Sequence, residues 1–197
     1  WTWWLLSQSP EVEAALHSHL GEVLGSRDPT VEDLPKLELV DRILRESMRL
    51  YPPAYVVSRR AKEDADIGGV TIAAGSEVVV WIFHTHRDPR WWPDPERFDP
   101  DRFLPEASEG RPRCAWMPFG AGPRACIGAR FAMLEATLIL ATLARRHRLE
   151  PAGRKPPRPR ARVTLSPAGG LTMRISDRGS GQRQHGSRRT RQAPIAV

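Results

Sequence analysis

Between Phe119 and Gly128 the chain reads FGAGPRACIG, so a single cysteine, Cys126, stands in a glycine-rich loop that also carries Arg124. The chemistry open to such a pattern is thiolate ligation of iron. The sulfur must lose its proton to bind, and its surroundings must favour the anion and keep water and oxidants away. A helix expected to start near Ile127 would turn its unpaired N–H groups and the positive end of its dipole toward that sulfur. Gly120, Gly122 and Gly128 would permit the turn and let the backbone approach a flat ligand closely. Arg124 lies two positions before the cysteine and is placed to meet an anionic group. The plainer alternative, a glycine-rich turn around an inert cysteine, accounts poorly for so many residue types at fixed spacing.

Two upstream segments carry further charges at fixed spacing. In LPKLELVDRILRESMRLYPP, Leu37, Val40, Ile43, Leu44 and Met48 recur at helical spacing, and Pro52 and Pro53 end the helix after Tyr51. Glu46 and Arg49 therefore share a face. On an exposed helix such a pair is worth only about 0.2–0.5 kcal/mol, the energy of a solvated surface contact. The segment WWPDPERFDPDRF follows, rich in arginine and aromatic residues.

The six positions Phe119, Gly120, Gly122, Arg124, Cys126 and Gly128 resemble the haem-binding loop of the cytochrome P450 monooxygenases. The resemblance implies that Cys126 is the proximal ligand of haem iron, that Arg124 contacts a haem propionate and that Phe119 packs beside the sulfur. It also makes Glu46 and Arg49 the family's ExxR pair, joined by a third residue, an arginine, in a structural cluster. Pro95-Glu96-Arg97-Phe98 spells the family's PERF literally, yet Phe98 to Phe103 fits the longer FxPxRF pattern and lies closer to the cysteine. Arg102 is accordingly expected in the cluster, with Arg97 peripheral. A guanidinium can bridge a carboxylate and backbone carbonyls at once, which suits such a clamp.

Arg59 occupies the position of the family's RxAxED arginine, which binds the second propionate; a solvated strand charge is the competing reading. His84 and His86 fit no zinc-site spacing, and His86, in an HRDP run, resembles a family segment whose side chain reaches a propionate. The substrate contacts implied are Pro53, Ala54, Tyr55, Val56 and Val57 after the helix, and Gly170 at a hairpin tip.

These residues require elements to hold them. Strands are expected at Tyr55–Arg59, Gly69–Ile72 and Val78–Phe83, forming one small antiparallel sheet around the turn signals at residues 67–69 and 74–75. After Cys126 an amphipathic helix is expected, with Phe131, Leu134, Leu138, Ile139, Ala141 and Thr142 inward and Arg145, Arg146 and Arg148 at its C-terminal end. Arg162–Leu165 and Leu171–Ile175 are expected to pair around residues 167–170. The fold class implied is α+β, mainly α: the C-terminal portion of the P450 fold over residues 1–176, with its J, K and L helices, small sheet, meander and cysteine loop.

The 197-residue chain is long enough for one real core. Residues 151–197 carry 11 Lys and Arg against one acid, a net +10, whereas residues 1–150 carry 19 against 22, a net −3. The basic character belongs to the end of the chain, and residues 177–197 are expected to be a disordered tail. A nucleic-acid or acidic partner is a competing function for that tail, but no aromatic residue is interleaved with its arginines, and no specific nucleic-acid binding is expected. Two cysteines, Cys114 and Cys126, argue against a disulfide framework and for a reducing, cytoplasmic setting. Cys114 is expected to be a buried, inert small hydrophobe.

The activity implied by the resemblance is insertion of one oxygen atom of O2 into a lipophilic substrate. The cofactor would be haem b (iron protoporphyrin IX), with electrons from NAD(P)H through a ferredoxin or flavoprotein reductase. The opening WTWWLL looks like the segment that follows the family's distal helix, which bears an acid-alcohol pair not found in this chain. A remnant that at most binds haem is therefore the alternative, and a membrane anchor elsewhere in a longer protein stays open.

Overall fold

A computed structural model describes residues 1–153 and 155–178. Six α-helices are found there: α1 Thr2–Gln8, α2 Pro10–Leu24, α3 Glu38–Leu50, α4 Ile82–Thr85, α5 Pro105–Ser108 and α6 Ala129–Arg146. The core is helical. Leu6 of α1 and Leu16, Leu20 and Leu24 of α2 pack with Leu37, Val40, Ile43 and Leu44 at the front of α3 and with Leu140, Ala141 and Ala144 of α6. Their spacing of three and four places them on the facing side of each helix. Between α2 and α3 a capping box, with the Thr30 backbone N–H donating to Asp33, opens a 3-10 turn over Val31–Lys36.

The strands form four separate two-stranded antiparallel ribbons among the described residues, two of them in residues 57–80, where one sheet was expected. β1 Val57–Arg60 pairs with β4 Glu77–Val80, and β2 Ala65–Ile67 with β3 Val70–Ile72. The β2–β3 turn is made by Gly68 and Gly69, both at positive φ, as a tight two-residue hairpin requires. β5 His147–Pro151 pairs with β8 Met173–Asp177, and β6 Pro159–Ala161 with β7 Leu165–Pro167.

Several expectations are corrected by this arrangement. The apolar run Val78–Phe83 is not one strand: it breaks after Val80, and Ile82 and Phe83 open α4. Such short runs carry no period that separates strand from helix. Arg162–Leu165 and Leu171–Ile175 do not pair; each joins a different partner, and the hairpin tip falls at Arg162–Thr164 rather than at Gly170. The buried face of α6 is Thr137, Leu140, Ala141 and Ala144, while Phe131 and Ile139 are exposed. α6 packs on α2 and α3 with its narrow, small-residue side, since small side chains let helix backbones come close.

Asp177 ends β8 and its carboxylate lies 2.9 Å from His147 Nδ1, and the Arg178 N–H donates to Arg146 O. The rest of the expected tail lies outside the described residues. No helix among the described residues is long and apolar enough to cross a membrane.

Candidate functional site

The site is built outward from the buried end of α3. Glu46 and Arg49 are both fully buried, three residues apart on one helical face. Arg49 spends all five of its N–H donors. Nε and Nη2 donate to the two Glu46 oxygens at 2.6 and 2.8 Å; Nη1 donates to His86 O and Pro95 O, and Nη2 also to Arg97 O. Glu46 Oε1 further accepts the Asp99 N–H at 3.0 Å, and Arg102 Nε lies 3.5 Å from it. Burial pushes the Glu46 carboxyl up from its ordinary range, against the pull of the Arg49 fork.

This cluster clamps the irregular segment 86–103 to α3, and each arginine of the two PERF-like repeats enters differently. Arg97 contributes its backbone carbonyl to Arg49; Arg102 brings its guanidinium to Glu46 and donates from Nη2 to Asp94 O at 2.8 Å. Asp94 has φ 48°, a left-handed conformation that Asp tolerates.

From the clamp three links reach the stretch just before the cysteine loop. Trp92, fully buried with the Arg49 guanidinium 5.1 Å and the Arg111 guanidinium 4.1 Å from its ring, donates from Nε1 to Ala115 O. Trp116 Nε1 donates to Arg45 O of α3. The Met117 N–H donates to His86 Nε2 at 2.8 Å. Sequence reasoning missed Trp92, Arg111 and Trp116. The signal was present in the alternation of tryptophan and arginine, because a planar cation stacks on an indole face.

The loop itself is closed by two backbone bonds: the Gly120 N–H donates to Met117 O, and the Cys126 N–H to Phe119 O at 2.8 Å. Gly120 and Gly122 hold φ of 73° and 69°, which a side chain would oppose. Gly128 differs from its expected role. It has φ −83° and caps α6, and a Cβ there would sit 3.8 Å from Cys126 Sγ, in ordinary contact. The helix starts at Ala129 rather than near Ile127. Phe119 lines a groove with Phe103, Trp116 and Met133.

Cys126 is exposed, and so are Arg124 and Arg59. Next to the thiol in sequence, Ile127 is entirely exposed, and Phe131 in the first turn of α6 is 68% exposed. A soft ligand atom, flanking apolar side chains and exposed guanidinium groups, with Arg59 also donating to Ser58 O, are the residue types that an iron-bearing, flat, apolar dianion needs. The residues present thus fit haem.

Other expected site residues are placed differently. His86 is not free to reach a propionate: it is fully buried, with Nε2 on the Met117 N–H and Nδ1 3.3 Å from Arg49 O. Burial pushes its pKa down to about 4. Cys114 is exposed, not buried.

Pro53, Ala54, Tyr55, Val56 and Val57 lie where α3 gives way to β1, and two of them meet the β6–β7 hairpin: Pro53 O accepts the Leu165 N–H and Tyr55 Oη donates to Arg162 O. Gly170 lies in the turn after β7, its N–H donating to Pro167 O, away from the hairpin tip. Val163, 97% exposed, stands at that tip. No group of three or more metal-binding side chains occurs among the described residues.

Comparison with known proteins places the chain in a family. The family model described as Cytochrome P450 matches residues 1–173. Cyclooctatin synthase of Streptomyces melanosporofaciens is 43% identical over 173 residues, covering 88% of this chain and 38% of that protein. Cyclooctat-9-en-7-ol 5-monooxygenase of the same organism is 44% identical over 147 residues, 75% of this chain and 32% of its own length. Mouse (Mus musculus) Cytochrome P450 4V2 is 42% identical over 152 residues, 76% of this chain and 29% of its own. The chain thus spans about a third to two fifths of the length of these relatives.

Proposed function

The chain belongs to the cytochrome P450 family, and on that footing we propose that it carries the proximal side of a haem-thiolate monooxygenase site with Cys126 as the iron ligand. The observation that carries the reading is the exposed Cys126 thiol at the end of a loop closed on Phe119 O and tied at its base to the Glu46–Arg49 clamp. Cys126, with Arg124 and Arg59, would hold haem b, and the chemistry that group would supply is insertion of one oxygen atom of O2 into a C–H bond.

The chain's own residues bind and orient. Cys126 contributes the thiolate, close in sequence to the N-terminal end of α6 at Ala129, whose dipole favours an anion. Arg124 and Arg59 are the cations for the two propionates, and Ile127 with Phe131 supplies apolar cover. Glu46, Arg49 and Arg102 hold the scaffold and take no part in the chemistry. In family terms α2, α3 and α6 are the J, K and L helices of the C-terminal portion.

The Pro53–Val57 segment and the hairpin tip at Val163 form the substrate side. Apart from Tyr55, their side chains are small and apolar and suit a lipophilic substrate, and the name of one relative, a monooxygenase of a cyclic alkenol, points the same way. Electrons would arrive from NAD(P)H through a ferredoxin or flavoprotein reductase, and two free cysteines accord with a reducing cytoplasm.

The test is the reduced carbon monoxide difference spectrum of the chain supplied with haem. The red-shifted Soret band from which the family takes its name, lost on Cys126→Ser, is the expected result. An unshifted band, or no bound haem, would make this chain by itself a remnant without the site.

A further inference from the structure

The imidazole of His86 is fully buried, yet both its nitrogens meet backbone groups from different parts of the chain. Nε2 lies 2.8 Å from the Met117 nitrogen, an N–H that can only donate, so Nε2 must be the unprotonated acceptor. The proton therefore sits on Nδ1, 3.3 Å from Arg49 O, which can only accept. One ring thus joins the ion-pair helix α3 to the base of the cysteine loop. The next bonds along the path are Gly120 N–H to Met117 O and Cys126 N–H to Phe119 O, both within the loop. Arg49 holds the same residue from the other side, since its Nη1 donates to His86 O at 2.9 Å.

We propose that His86 is a positioning residue, a neutral Nδ1–H imidazole whose Nε2 accepts the Met117 amide and so fixes the Phe119–Cys126 loop relative to α3. It touches neither the sulfur nor any group expected to meet haem; it acts through the Met117 amide. A backbone N–H that is half-buried and left without an acceptor is costly, so the loop base keeps its place while Nε2 is free to accept. Trp92 on Ala115 O and Trp116 on Arg45 O stitch the two preceding residues, but both bonds are made by tryptophan N–H groups, which donate only. His86 alone among the three supplies an acceptor to a loop amide.

The bearing of this brace on iron ligation rests on the reading of Cys126 given above; the brace itself does not, and its test needs no haem. Amide hydrogen exchange is followed at Met117, Gly120 and Cys126 in the full chain, with α3 amides as the internal reference. His86→Phe keeps a ring of similar volume and removes the acceptor. Exchange at Met117 is expected to quicken roughly tenfold or more, a change equivalent to about 1.4 kcal/mol, while α3 amides move far less. His86→Gln, whose amide oxygen can reach the same N–H, should restore most of the protection. Equal exchange in His86→Phe and the parent chain would overturn the proposal, as would equal loosening by both variants together with the α3 amides. Nitrogen NMR of the unmodified ring provides an independent reading that survives a variant failing to fold. A proton on Nδ1 and a bare Nε2 are expected; a proton on Nε2 would sink the idea.

Discussion

The polar residues of this chain fall into two regions with opposite designs. Around the C-terminal end of α3, Glu46, Arg49, His86 and Trp92 are almost wholly shielded from water, and Arg49 uses every donor it has. At the cysteine loop, about ten residues further along from Trp116, Cys126, Arg124 and Ile127 are open, and the loop is closed by backbone bonds. Buried charges are tolerable only when fully paired, so the first region is rigid by necessity. Exposed groups bear no such constraint and are available to a ligand. The contrast separates holding from binding: one region fixes where the loop starts, and the other presents its side chains.

The sharpest way to break this division is to change one residue in each region. Glu46→Ala leaves the Arg49 guanidinium buried without its carboxylate and is expected to cost about 3–5 kcal/mol, read as a lowered urea midpoint by tryptophan fluorescence. Cys126→Ser is expected to leave the midpoint within about 0.5 kcal/mol, because the thiol is exposed. A large stability loss in the cysteine variant would mean that the loop is part of the core scaffold after all.

Acid should expose the same asymmetry. His86 titrates at about 4 in the folded chain against an ordinary 6.5, because burial disfavours the imidazolium. Between those values the unfolded chain binds the proton more readily, so stability is fully present above about pH 6.5 and drains away as the pH falls toward 4. The loss attributable to this group reaches at most about 3 kcal/mol. His17 shifts the same way, through burial and then Arg178 and Arg148, but it is partly exposed and should contribute less. Urea titrations across this window should lose most of their pH slope in His86→Gln and little of it in His17→Gln.

Within the clamp, the two PERF-like arginines make a finer comparison. Arg102→Ala removes a nearly buried guanidinium from Glu46 and from Asp94 O, and a loss of about 1–3 kcal/mol is expected. Arg97→Ala keeps the carbonyl that Arg49 uses and should stay within about 0.5 kcal/mol. Reversal of that order in thermal unfolding would transfer the clamp to Arg97.

What could be read from the amino-acid sequence follows the same divide. The α3 face was legible because Leu37, Val40, Ile43 and Leu44 repeat at helical spacing, and the cysteine loop because its residue types are chemically restrictive. Strand pairing was not. Residues 162–165 and 171–175 look alike locally, yet β7 pairs back to β6 and β8 returns to β5, a choice made by long-range packing that no short window contains. The role of His86 was likewise hidden, since both its partners are backbone atoms and backbone leaves no residue-type signature.

Three glycines of the loop test whether its shape or its openness matters. Gly122→Ala must force a side chain into φ 69°, which costs about 1–2 kcal/mol although nothing lies within 4 Å of the added carbon. Gly120→Ala carries the same backbone strain at φ 73°, with backbone atoms 3.9 Å away. Gly128→Ala meets no strain, because its φ is −83°, and its effect on the urea midpoint should stay within about 0.5 kcal/mol. The added methyl would nevertheless stand 3.8 Å from Cys126 Sγ and shield one flank of the sulfur, so alkylation of Cys126 in a Cys114→Ser background should slow in this variant while stability is unchanged. Unchanged alkylation would show that the flank of the sulfur facing Gly128 is not its open side. The need for glycine there would then arise from approach of the ligand and not from access to the thiol.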